Sequence, residues 1–298
     1  MKEQDYLTLL FNMEISYRLY IKKLNNNDKL YFRDVKIPKE IIRTYFENKD
    51  KLQINYPGRE IFKKLLVTNE YFAEGRNPDE KKGFGVMYDY IDIYHYKNAK
   101  YYLELILVLH NKLYSKCKSP EAGGKYRISN SLVTRANNIA STDWALVPEE
   151  MNKLRPLFDE IVEISNTENF DVFEYIDKIV KLKCKIIKIH PFDDGNGRST
   201  RGLVNLFFKK VDLPLVFLDF DERDNYYDAL QRAMNEDYNY ITNFYYYKIC
   251  SSIMELGLKP KKINEQIIFE DDGEYIREWK PRKESSQMES EEGIERNR

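Results

Sequence analysis

With 298 residues, of which 42% are hydrophobic and 14% aromatic, the chain has ample apolar material for a buried core in one large or two ordinary domains. Its 48 basic and 49 acidic residues leave a net charge of -1, which excludes the global positive field that gathers nucleic acid and leaves any nucleotide to a local grip. No stretch approaches the roughly 20 apolar residues of a membrane span, and three scattered cysteines (Cys117, Cys184, Cys250) form no disulfide framework, so a soluble, cytoplasmic protein with neither membrane nor nucleic acid as partner is expected.

The opening MKEQDYLTLLFNMEISYR is interrupted by charge too often for a signal peptide. Apolar residues recur there at helical spacing, through Tyr6, Leu9, Leu10, Met13, Ile15 and Leu19. The same spacing returns at Ile61, Leu65, Leu66 and Phe72, and again at Tyr102, Leu103, Ile106, Leu107 and Leu113. Strand alternation is scarce, so the fold is predicted to be mainly α. The exception is residues 122–133, where glycines precede β-prone Tyr126, Ile128 and Val133; a hairpin is expected there. Pro148, followed by Glu149 and Glu150, starts a helix that should run to about Ile164 with a kink at Pro156. Another helix is predicted from Val172 to Ile189. A turn at Asp212, Leu213 and Pro214 ends the helix after that, and residues 219–223 start the next. The aromatic run from Tyr238 to Tyr247 reads as helix packing rather than a base-stacking surface at this overall charge. Past Gly257 the chain turns charged, and beyond Lys280 it is expected to be disordered.

Between two helical patterns stands HPFDDGNGRSTR, residues 190–201. Gly195 and Gly197 permit a tight turn into a helix beginning at about Arg198, whose N-terminus would present backbone N–H groups and the positive end of its dipole to an anion. Arg198 and Arg201 lie on nearly one face and add forked donors suited to phosphate, and Asn196 can add a side-chain donor. Asp194 is a hard oxygen ligand, enough for a magnesium ion that also uses phosphate oxygens and water. His190, with a pKa near neutrality, can take a proton from an incoming hydroxyl. Pro191 and Phe192 read as structural, and His95 and His110 as caps or packed side chains. An ordinary turn explains the glycines but neither the histidine nor the arginines. Calcium-loop spacing is absent, since Arg223 in DFDERDNYYD stands where a third ligand belongs, and no GxxxxGK[ST] loop occurs.

This stretch resembles the signature of the Fic family, HxFx(D/E)GNGRxxR, at every fixed position. Gly124-Lys-Tyr-Arg127 looks like the start of that family's flap, Pro148 to Phe158 like the following helix, and Asp224 to Leu230 like the segment after the core, a likeness covering roughly residues 96–250. The resemblance implies a Fic-fold helical core with a short β-hairpin flap, set as an N-terminal helical region (1–95), a catalytic core (96–258) and a C-terminal tail (259–298). It implies transfer of AMP from ATP to a Ser, Thr or Tyr hydroxyl of a target protein that docks on the 124–133 flap by strand addition. Carried over, His190 is the general base, Asp194 holds Mg²⁺, Gly195, Asn196 and Gly197 form the anion hole, and Arg198 and Arg201 grip the phosphates. Asn205 and Tyr226 or Tyr227 are candidates for the nucleoside. Many relatives carry a self-inhibiting helix with the pattern (S/T)xxxE(G/N); Glu74-Gly75 corresponds to its end, although Glu70 stands at the Ser/Thr place. Removal of AMP, transfer of a phosphate or another nucleotide, and a non-catalytic nucleotide scaffold stay open, as does a homo-oligomer.

Overall fold

The computed structural model describes residues 8–18, 37–56, 78–94, 101–133, 139–218 and 222–260, all within the compact unit Met1–Pro260. Glu74, His95 and the expected disorder beyond Lys280 lie outside the described residues. Ten helices follow one another among those described: α1 (8–18), α2 (Lys39–Glu47), α3 (Pro78–Tyr94), α4 (Leu105–Tyr114), α5 (Val147–Asn152), α6 (Arg155–Asn166), α7 (Val172–Ile189), α8 (Asn196–Lys210), α9 (Arg223–Met234) and α10 (Asn239–Leu256). The mainly α fold expected from the spacing of apolar residues is therefore the observed one.

The centre of the fold is α8, buried from Asn196 to Phe208 apart from half-buried Gly197. A helix covered on every side must be surrounded by others, and α7, α4 and α3 all pack against it. The α7 helix turns Tyr175, Ile176, Ile179, Val180, Leu182 and Ile186 inward, and each such side chain contributes about 1.5–3 kcal/mol by leaving water. Small residues set the close crossings. A Cβ at Gly83 of α3 would fall 1.8 Å from the Leu113 carbonyl oxygen of α4, and one at Gly202 of α8 would fall 3.0 Å from Met87 Sδ.

The N-terminal segment is stitched to the end of the core. Tyr17 of α1 hydrogen-bonds Ser251 Oγ at 2.6 Å, and Tyr45 of α2 donates to the Asp212 carbonyl at 2.5 Å. A short antiparallel pair, β1 (Leu52–Ile54) with β4 (Leu258–Pro260), aligns Leu52 with Pro260 and Ile54 with Leu258. Such brief strands leave no alternation long enough to read in sequence. The aromatic run lies on α10, where Phe244, Tyr245 and Tyr246 are buried, as packing requires.

Three local expectations need correction. The hairpin pairs β2 (Leu132–Val133) with β3 (Ile139–Ala140), so only the end of 122–133 is strand. Before Leu132 the segment is not strand, and there the Arg127 guanidinium takes the Ser129 carbonyl at 2.6 Å. The helix from Pro148 is two helices, with α5 ending at Asn152 and Pro156 in the first turn of α6, where its missing N–H costs nothing. Finally, α8 begins at Asn196, two residues before the expected start at Arg198.

Candidate active site

His190 closes α7 as its C-cap, at φ 56° and ψ 62°, with its N–H bonded to the Ile186 carbonyl at 2.9 Å. A left-handed backbone is unusual for a residue with a Cβ and turns the chain sharply out of the helix. Arg127 fixes that turn. Its Nε donates to the His190 carbonyl at 2.6 Å, its Nη2 reaches the Ile189 carbonyl at 3.4 Å, and its backbone N–H bonds the Pro191 carbonyl at 2.9 Å. The same guanidinium holds the carbonyls of Ser129 and Thr142 and the Ser141 hydroxyl, tying the hairpin to the end of α7. A cation here also meets the negative end of the helix dipole. Sequence reasoning used Arg127 only to mark the flap; a single arginine after a glycine carries no spacing that reveals a helix cap so far along the chain.

The His190 ring is half-buried, with Nδ1 shielded from solvent, so its Nε2 edge remains for a substrate. Burial lowers its pKa below the ordinary imidazole value; the Ile187 carbonyl and Asp194 pull it up, and the Arg127 charge pushes it further down. The base form is thereby favoured at neutral pH.

The loop is fastened from inside. Phe192 is fully buried and stacks on His110, ring centroids 3.8 Å apart and 2° from parallel. Asn196 Oδ1 accepts from the Phe192 N–H at 2.9 Å, while its Nδ2 donates to the Phe192 carbonyl at 2.7 Å. That side chain is engaged in closing the loop through Oδ1 and one Nδ2 hydrogen. Gly195 sits at φ 79°, and a Cβ there would come within 3.0 Å of Tyr114 and 3.2 Å of His110. Both conformation and space demand glycine.

His110 is packed, as expected, and also bonded at both nitrogens. The Gly124 N–H donates to Nδ1 at 2.9 Å, which makes Nδ1 the acceptor and leaves Nε2–H to donate to the Asp194 carbonyl at 3.0 Å. Burial pushes its pKa down to about 4, with the Asp194 carbonyl opposing and the Arg198 charge reinforcing the drop, so the ring is neutral.

Gly195 brings no side chain to cap α8, whose first helical bond runs from Ser199 N to the Gly195 carbonyl at 2.9 Å. The amides of the first turn of α8, before Ser199, have no intrahelical partner and lie at the positive end of the dipole, the arrangement that binds anions. Arg198 is 4% exposed and pairs with Asp194 at 2.8 Å, while Asp194 is 42% exposed. The Arg198 guanidinium lies over the Phe84 ring at 5.9 Å and that of Arg201 over the Tyr226 ring at 5.7 Å. Among the described residues no group of three or more His, Cys, Asp or Glu side chains is placed to hold a metal. A single carboxylate open to solvent beside an anion site nevertheless suits Mg²⁺, which completes its shell from phosphate oxygens and water.

His190, Asp194, Gly195, Gly197, Arg198 and Arg201 thus share one loop and the first turns of α8. Asn205 does not join them. It is fully buried, and its amide bonds the Val216 carbonyl at 2.7 Å and N–H at 2.9 Å, pinning the segment after α8. Tyr226 lies beside Arg201 but is 1% exposed, with Lys183 Nζ also 4.6 Å from its ring; Tyr227 packs edge-on against it at 5.3 Å. Neither the Tyr226 hydroxyl nor Lys183 Nζ makes a hydrogen bond with a described residue.

Residues 100–208 match the Fic/DOC family. The protein adenylyltransferase Fic of Nematostella vectensis is 27% identical over 141 residues, which are 47% of this chain and 30% of that relative. The chain thus spans about a third of the length of that relative. Fic-1 of C. elegans (residues 134–508) superposes with a TM-score of 0.56 at 20% identity, covering 73% of this chain and 71% of that one. A Fic domain containing signaling protein of Bacteroides thetaiotaomicron gives a TM-score of 0.54 at 17% identity over 82% of this chain and 96% of its own.

Proposed function

Taking as premise the Fic/DOC segment at residues 100–208 within a Fic-like fold, we propose that the chain transfers AMP from ATP to a Ser, Thr or Tyr hydroxyl of a target protein, releasing pyrophosphate. One observation carries the reading: a shielded imidazole and a helix N-terminus with a buried arginine are held at opposite ends of one internally bonded loop. The target hydroxyl gives its proton to His190 Nε2 as its oxygen forms a bond to the α-phosphorus. The bond from that phosphorus to the bridging oxygen breaks, and pyrophosphate leaves with the electron pair. The α8 amides at Asn196 and Gly197, with Arg198 and Arg201, meet the charge on the phosphates in a site already assembled before the reaction. Asp194 would hold Mg²⁺, which when bound neutralises part of the phosphate charge. The target lies along the flap, residues 124–133, and adds a strand to β2, whose Leu132 is exposed.

Removal of AMP, a phosphate or other nucleotide transfer, and a nucleotide-holding scaffold are the competing readings. Incubation of the protein with Mg²⁺, cell lysate and ATP labelled at the α or the γ phosphate separates them. Protein-bound α label that vanishes in His190→Ala is the expected result. Label from the γ position alone selects a kinase-like reaction, release of AMP from labelled protein selects the reverse activity, and ATP binding without any label selects the scaffold. Glu74 is proposed as an inhibitory partner of Arg201; Glu74→Gly should then label faster than the wild type, and an equal rate rejects that role.

A further inference from the structure

His110 lies on α4, away from the signature, yet one neutral imidazole holds two segments that AMP transfer needs together. Its Nδ1 accepts from Gly124, where the chain enters the flap, and its Nε2–H donates to the carbonyl of Asp194, the metal and phosphate side of the site. Its face is stacked on Phe192, whose backbone is in turn closed by Asn196. The Gly124 backbone is itself committed, at φ 78° and with a Cβ excluded by the Leu107 carbonyl 3.0 Å away. Each bond fixes a different segment, and the ring can serve both only in one tautomer. Resting on the AMP-transfer reading, we propose that His110 is a positioning residue that links the flap to the phosphate loop, so that the geometry of target docking and that of Mg·ATP binding are set by the same side chain.

The two arms separate by substitution. Asn at 110 places an acceptor near the position of Nδ1 and loses the bond to Asp194; Gln places a donor near Nε2 and loses the bond to Gly124. A lost bond to a buried backbone group corresponds to about a tenfold change. His110→Asn should therefore raise KM for Mg·ATP about tenfold while the target KM stays within about twofold, and His110→Gln should do the reverse. His110→Phe keeps the stack on Phe192, loses both bonds, and should move both constants. Kinetic constants in His110→Phe equal to those of the wild type, or equal shifts of both constants in all three variants, overturn the link and leave the ring a packing element. Two measurements need neither catalysis nor a folded variant. Nitrogen-15 spectra of the wild-type protein at neutral pH should show His110 protonated at Nε2 alone, and the Gly124 amide should exchange with solvent slowly. Protonation at Nδ1, or free exchange at Gly124, rejects the proposal. If the wild type transfers no AMP, the functional reading falls, and the spectrum and the Gly124 exchange decide the link by themselves.

Discussion

Between His190 and Gly197 the chain spends its polar groups on itself: Asn196 closes on Phe192, His110 holds the Asp194 carbonyl, Arg127 holds that of His190, and Arg198 pairs with Asp194. Along the hairpin region large apolar side chains stand in water instead, with Ile128 81% exposed, Leu132 49%, Trp144 43% and Leu146 49%. Arg127 belongs to both, anchoring one to the other through a single guanidinium. The contrast fits the two jobs that the proposed AMP transfer would need. A reacting centre has to be fixed in advance, because reorganisation during reaction subtracts from transition-state stabilisation. A recognition surface has to leave apolar area and strand edge uncovered until a partner arrives.

The largest expected effect comes from removing the proposed base. His190→Ala should lower the rate of α-label incorporation by about 10³-fold, within the range typical of general base catalysis, while Mg·ATP affinity measured by calorimetry changes far less. Next is the loop closure: Asn196→Ala leaves the buried Phe192 N–H and carbonyl unpaired, and should cost about 2 kcal/mol in chemical unfolding together with most of the activity. Substitution in the hairpin should sharpen the contrast. Leu132→Ala should leave stability within about 0.5 kcal/mol, as expected of an exposed site, yet reduce kcat/KM for the protein target about fivefold. An unfolding midpoint shifted as far as that of Asn196→Ala would erase the distinction between the two regions.

The pH dependence tests the electrostatics of the loop. Because burial lowers the His190 pKa, the ring stays neutral below the pH at which a free imidazole gains its proton. The acid limb of the kcat/KM profile should therefore lie below about 6.5, activity falling as the pH drops through the lowered value. Replacing Arg127 by Gln removes one of the lowering influences and should move that limb upward.

The smallest effect concerns Lys183, buried with no hydrogen bond to a described residue and facing the Tyr226 ring. Lys183→Met keeps the volume and removes an unsatisfied polar group, and should raise stability by about 1 kcal/mol by calorimetry.

How much of this was legible follows from the range of each interaction. The signature could be read as a candidate site because His190, Asp194, the glycines and the two arginines are contiguous, and α7 read correctly because its apolar face repeats over many turns. The hairpin was displaced because its strands are two residues long and Arg127 occupies the segment before them. Asn196 and Asn205 are polar residues in a site-like stretch, but both amides serve backbone groups, Phe192 and Val216, which no local pattern identifies. The two side chains that brace the loop, Arg127 and His110, lie 63 and 84 residues from their partners His190 and Asp194, beyond any local motif.

The left-handed backbone at His190 has an outcome for anyone evolving or engineering this chain. Glycine adopts φ 56° without the Cβ conflict that costs a histidine about 1 kcal/mol, so the backbone gains from the very substitution that deletes the proposed base. Selection for melting temperature alone therefore drifts toward losing the imidazole, and a screen for sturdier variants has to carry a separate readout of AMP transfer to keep histidine in place.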